Sequence, residues 1–314
     1  MSLYRRQLPL TQQSPLITDG GLETELIFKN GYELPEFASF PLLETQQGRE
    51  DLTDYYQHYL EIARTHHRGI ILEAPTWRAN PDYIAKLGYS PDQVSVINAH
   101  AIEYLNELRK SYPVSQPCLI SGCIGPRFDG YQPQQKMSIQ QSINYHTAQI
   151  TAFEATDADL VTALTMTNVD EALGISLAAK KLNMPIVISF TTETDGQLPS
   201  GESLKSAIET IDRETANYPL YYMINCAHPS HFQNRLGDAA WCQRIQGLRS
   251  NASCKSHAEL DESTELDSGD PVALGLDYSK LNSVLKNLRV IGGCCGTNHE
   301  HVVQMVKCCN HSIN

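Results

Sequence analysis

Short, almost continuously apolar runs recur along the chain, with longer stretches of helical spacing between them. The runs lie at 16–19, 70–73, 118–122, 160–165, 186–190, 221–225, 245–249 and 289–293. A strand covered on one face alternates apolar and polar side chains, whereas a strand buried on both faces is apolar throughout. These runs therefore predict parallel strands enclosed by helices, and the intervening segments at 49–67, 91–111, 138–156, 169–182, 201–216, 229–239 and 278–288 supply the helices. Eight such strands alternating with helices close into a (β/α)8 TIM barrel. The 314 residues suit a single barrel domain spanning 1–314, since the fold takes about 250 residues plus insertions.

In a barrel of this kind chemistry gathers where the strands end. Asp19, Glu73, Ser121, Thr165, Thr191, Asn225, Asn251 and Cys294 all fall at or just after a predicted strand's carboxyl end. Every strand has to end in something polar, so one or two of these positions need no special reason. Cysteine at two ends and Asp19-Gly20-Gly21 at a third do. Two glycines straight after a strand permit a close approach by a ligand, whose carboxylate their N–H groups could face, and Asp19 could take an ammonium.

Charge narrows the field. A formal net charge of -12 speaks against a nucleic-acid-binding surface, which needs clustered Lys and Arg. No run approaches the roughly 18 apolar residues of a membrane span, and the first residues do not read as a signal peptide. The expectation is a cytoplasmic protein acting on small molecules. There its nine cysteines would stay reduced. Cys118 and Cys123 read as packing residues, and the Cys308-Cys309 pair in the last helix as bystanders. The acidic segment 256–271 reads as a solvated loop, with a lid over the site as the alternative, because it follows the seventh strand.

Cys294 and Cys295 stand side by side in Gly292-Gly293-Cys294-Cys295-Gly296-Thr297, and Cys226 follows the sixth run in Asn225-Cys226-Ala227-His228. Adjacent cysteines make a strained disulfide, whereas three thiolates suit tetrahedral zinc and leave a fourth position for a substrate. A metal site of Cys226, Cys294 and Cys295 is the first hypothesis. His228, followed by proline, reads as a structural residue, with a role as ligand or as support for one as the alternative.

Taken together, Asp19-Gly20-Gly21 at the first strand, Asn225-Cys226 at the sixth and Gly292-Gly293-Cys294-Cys295-Gly296-Thr297 at the eighth resemble the zinc-dependent homocysteine S-methyltransferase family over nearly the whole chain. The resemblance implies Zn2+ on Cys226, Cys294 and Cys295, a small thiol acceptor with its amino-acid end near Asp19, Gly20 and Gly21, and a small methyl donor. S-methylmethionine is the preferred donor, with S-adenosylmethionine and betaine also to be tested. No general base is needed, because coordination to the metal removes the thiol proton. Asn225 would orient a neighbouring loop or touch the amino acid.

The chain also departs from the family. Many members carry a glutamate followed by threonine after the fourth strand; here Leu164 precedes Thr165. Leucine cannot pair with an ammonium, so either Asp19, Glu23 or Glu73 supplies the carboxylate, or the acceptor is a thiol other than homocysteine. A barrel that keeps its metal without catalysis is the remaining reading. Glu73, Trp77 and Arg78 share one loop and could hold a zwitterion or a cationic donor, unless Glu73 and Arg78 pair with each other. Arg127 could meet an anion or tie down Asp129.

Overall fold

A computed structural model describes residues 2–10, 14–128 and 136–309. Its eight strands are β1 (Leu16–Ile17), β2 (Ile70–Glu73), β3 (Cys118–Ile124), β4 (Leu160–Met166), β5 (Ile186–Phe190), β6 (Tyr222–Asn225), β7 (Ile245–Ser250) and β8 (Val290–Gly293). All pair in parallel with their sequence neighbours, and β8 returns to β1 to close the barrel. Every strand residue is buried, as the continuous apolar runs require.

The helices are α1 (Leu22–Phe28), α2 (Gln46–Thr65), α3 (Pro81–Lys86), α4 (Val94–Ser111), α5 (Ile139–Glu154), α6 (Val169–Lys181), α7 (Leu204–Thr215), α8 (Pro229–Phe232), α9 (His257–Asp261), α10 (Pro271–Val284) and α11 (His299–Cys308). Two expectations are corrected. The helix expected over 229–239 is one α-turn and a 3-10 turn at Gln233–Arg235. The one expected over 278–288 starts earlier, because Asp270 caps the N–H groups of Val272 and Ala273 and Pro271 takes the first helical position, where its missing N–H does no harm. The stretch 91–111 begins with a separate 3-10 turn, Pro91–Gln93, before α4.

Two apolar layers divide the barrel. Leu16, Ile71, Leu119, Leu160, Val187, Met223 and Val290, from all strands but β7, form one cluster, and Tyr4, Leu8 and Leu10 pack against it. Most of these residues lie in the first half of their strands, so they fill the amino-terminal end of the barrel. The larger cluster lies between strands and helices. Polar side chains therefore collect at the opposite, carboxyl end. Ser121 is an exception to its expected place: β3 runs on to Ile124, and the Ser121 hydroxyl lies inside the barrel, 2.9 Å from that of Thr162.

Candidate metal centre

Cys226 directly follows β6, and Cys294 and Cys295 directly follow β8, so two strand ends flanking β7 present all three thiols. The backbone is fastened across β7: the Cys226 N–H donates to the Arg249 carbonyl at 3.1 Å, the Cys294 N–H to that of Ser250 at 2.9 Å, and the Ala252 N–H to that of Cys295 at 3.0 Å. Cys226 has φ +55°, a left-handed conformation that non-glycine residues seldom adopt. It is held by its carbonyl, which accepts from His257 Nε2 at 2.7 Å and from the Thr191 hydroxyl at 3.2 Å.

The three sulfurs lie within 4.8 Å of one another, and Cys226 Sγ is 3.7 Å from Cys295 Sγ. Zinc–sulfur bonds of about 2.3 Å at tetrahedral angles place two sulfurs about 3.8 Å apart, so the donor set fits a tetrahedral thiophilic cation. Among the described residues this is the one group of His, Cys, Asp and Glu side chains gathered closely enough to hold a metal. The Cys294 thiol is held well below its ordinary value by hydrogen bonds from Cys226 and Cys295, while the contacts of Cys295 with Cys226 and Cys294 push that thiol up. His228 turns away to a helix cap, its Nδ1 accepting from the Ser230 N–H at 3.2 Å.

Beside the thiols lies a cavity of about 70 Å3 whose walls include Asp19, Glu23, Phe37, Glu73, Trp77, Leu164, Thr165, Asn225 and Arg249. Asn225 reaches three of its neighbours. Its Oδ1 accepts from the Thr165 N–H at 2.8 Å and from the Ser189 hydroxyl at 2.6 Å; its Nδ2 donates to Thr165 Oγ1 at 2.8 Å and faces Cys294 Sγ at 3.9 Å. Thr165 itself has φ +62°, unusual for a β-branched residue. Leu164 lines the cavity, as its sequence position suggested.

Asp19 has partners within the protein. Its carboxylate meets Arg249 Nη2 at 2.6 Å and the Tyr55 hydroxyl at 3.0 Å, a buried ion pair inside the barrel. Burial pushes the Asp19 carboxyl up, and Arg249 pulls against it. Neither Gly20 nor Gly21 has a positive φ, and the Gly21 N–H donates to the Thr297 carbonyl at 3.0 Å. They are small because the first loop presses on the eighth: a Cβ on Gly20 would lie 2.7 Å from the Thr297 carbonyl oxygen, and one on Gly21 would lie 2.6 Å from that of Cys294.

Glu73 is a buried carboxyl and Glu23 a half-buried one, and desolvation raises each to about 7. Ser39 donates to Glu23 at 2.8 Å. Glu73 does not need Arg78, whose guanidinium donates to the Pro126 and Phe128 carbonyls and lies against the Trp77 and Tyr83 rings. Arg127 pairs with Asp82 at 2.8 Å; Asp129 lies outside the described residues.

A second, wider cavity of about 360 Å3 shares Thr24, Phe37, Trp77 and Cys295 with the first. Its outer wall comes from the acidic segment, with Leu260, Ser263, Glu265, Leu266 and Asp267. The segment therefore borders the thiol site. It is also structured, α9 being capped by Ser256 and Glu259.

The sequence reading overlooked Arg249, Tyr55, Phe37 and His257. Arg249 left a signal: a lone cation in the six-residue, fully buried run of β7 must face a partner inside the barrel. The others depend on which loops and helices fold over the strand ends, which spacing alone does not reveal.

The family model described as homocysteine S-methyltransferase matches residues 16–309. Among solved structures, the metallated form of the homocysteine methyltransferase MmuM from Escherichia coli is similar, with 19% identity, 94% of this chain and 96% of that chain covered, and a TM-score of 0.71. Its oxidized form matches at 19% identity over 93% and 94% of the two chains, with a TM-score of 0.72. At this identity the likeness establishes the shared barrel fold. Among the described residues no helix is long and apolar enough to cross a membrane.

Proposed function

Because the chain belongs to the homocysteine S-methyltransferase family, we propose that it holds one zinc ion on Cys226, Cys294 and Cys295 and moves a methyl group from a cationic sulfonium donor, S-methylmethionine first, to the thiol of homocysteine. The observation that carries this reading is the convergence of three sulfurs at metal-ligand spacing where two cavities meet. The chemistry supplied by the bound ion is removal of the acceptor's thiol proton, which an unassisted thiol with a pKa of about 8.5 mostly keeps at neutral pH.

The chain's own residues then position the reactants. The narrow cavity takes the acceptor, with Asp19, Gly20, Gly21, Glu23 and Glu73 around its polar end and Thr165 fixed by Asn225 on another wall. The wider cavity suits the donor: Phe37 and Trp77, whose rings meet edge to face with centroids 6.3 Å apart, give it apolar wall, and the carboxylates of Glu265 and Asp267 on the same cavity offer a cation negative charge. The sulfonium's carbon–sulfur bond breaks as the bond to the acceptor sulfur forms. With S-methylmethionine and homocysteine the products are two methionines and one proton released to solvent.

The test is methionine formation from homocysteine by zinc-loaded protein, with S-methylmethionine, S-adenosylmethionine and betaine run in parallel. Formation that stops on removing zinc and returns on restoring it supports the reaction and identifies the donor. Leu164 on the cavity wall favours a second reading, a different thiol acceptor, to be pursued if a fully zinc-loaded protein makes no methionine.

A further inference from the structure

Two buried polar atoms on the wall of the acceptor cavity are left without a hydrogen-bond partner. Arg249 donates through Nε to the Gly293 carbonyl at 3.0 Å and through Nη2 to Asp19 and to the Gly20 carbonyl at 3.2 Å, but its buried Nη1 has no hydrogen-bond partner. Glu73 accepts at its carbonyl from the Tyr56 hydroxyl at 2.6 Å, and its carboxyl is met by Ser121 and Thr162 and feels the Arg249 charge, but its buried Oε2 has no hydrogen-bond partner. Both residues are only 5% exposed, and both line the cavity beside the cysteines. A buried donor or acceptor left unpaired costs about 1–3 kcal/mol, and more when charged. Two of opposite character on one cavity wall match a ligand that carries both charges.

We propose that Arg249 and Glu73 form the clamp that selects the acceptor, Arg249 Nη1 receiving the carboxylate and Glu73 Oε2 the ammonium of an α-amino acid whose side chain points its sulfur at the cysteines. The clamp rests on the proposed function only in taking the acceptor to occupy this cavity. In barrel order β8 and β1 lie between β7, which carries Arg249, and β2, which carries Glu73. The amino-acid end therefore sits over the seam where β1 meets β8, next to Asp19 and Gly20, and the sulfur reaches the thiols that follow β6 and β8. Leu164, from β4 across the barrel, then packs against the methylene chain. Its lack of charge no longer argues against an amino-acid acceptor, because the carboxylate has moved to β2.

The test is calorimetric binding of L-methionine, of its analogue lacking the amino group and of its analogue lacking the carboxyl group, to metal-free and zinc-loaded protein. The clamp predicts that wild type prefers methionine to either analogue by at least about tenfold, the value of one charge-assisted contact. Glu73→Gln should bring methionine down to the amino-free analogue while leaving that analogue's affinity unchanged. Arg249→Lys should do the same with respect to the carboxyl-free analogue. If Arg249→Lys does not fold, Glu73→Gln decides alone. Equal binding of all three ligands to wild type, or a loss in Glu73→Gln shared by all three, overturns the clamp. Selective methionine binding by a protein that forms no methionine from homocysteine supports the clamp and overturns the reaction.

Discussion

Asn225 grips Thr165 at both ends, accepting from its N–H and donating to its hydroxyl, each at 2.8 Å. Thr165 is thereby kept in a left-handed conformation that a β-branched residue does not choose, and such conformations persist only where the surroundings over-determine them. Asn225→Ala removes both bonds and strands the Ser189 hydroxyl as well. We expect a loss of about 2–3 kcal/mol in unfolding free energy, measured by urea denaturation of the metal-free protein; a change under about 0.5 kcal/mol, within the range of ordinary surface substitutions, would show that Thr165 holds its conformation without help.

Removing one sulfur should disable the metal site. Cys226→Ser is expected to lower zinc content by at least about tenfold after dialysis against a weak chelator, read by elemental analysis, with methyl transfer falling in parallel. Full zinc occupancy in this variant would refute the ligand set.

The Asp19–Arg249 pair predicts a non-additive cycle. Asp19→Asn leaves a buried guanidinium without its counter-charge and should cost about 3–5 kcal/mol, whereas Asp19→Asn combined with Arg249→Met should cost less than Asp19→Asn alone. Additive losses in urea titrations of the four proteins would mean that the two charges do not depend on each other.

Glu73 makes stability depend on pH in a definite direction. Its folded pKa of about 7 lies above its unfolded value, so its contribution is complete below about pH 4.5 and is lost as pH rises through 7. The unfolding free energy of metal-free wild type relative to Glu73→Gln should therefore fall by roughly 2–3 kcal/mol between pH 5 and pH 8. A difference that stays flat or rises over this window would place the Glu73 carboxyl in a far wetter setting.

The eight strands were readable because burial on both faces writes a continuous apolar run into each one, and the three thiols because their sulfur chemistry is distinctive and they sit at strand ends. Asp19 is legible as a carboxylate at a strand end, but its partner within the protein is not: Arg249 is 230 residues away in sequence, and only closure of the barrel brings them together. Gly20 and Gly21 read as a place of close approach, and the structure brings the loop after β8 against them. The short helices α1 and α3 escaped notice because neither is long enough to show helical periodicity, although Asn80 before Pro81 was a usable start signal.

The strand β1 has only two residues, one paired with β2 and two with β8, so much of what shuts the barrel there is Asp19 on Arg249, the Gly293 N–H on the Asp19 carbonyl and the Gly21 N–H on Thr297. The floor of the cavity beside the cysteines is thus also the fastening of the barrel. This divides the pocket into positions of unequal evolutionary freedom. Lineages that change acceptor by altering Asp19, Gly21 or Arg249 must repair the closure in the same step, whereas Leu164, Phe37 and Glu73 lie outside these fastening contacts. Specificity should drift at those three positions, and engineered libraries for new thiols belong there.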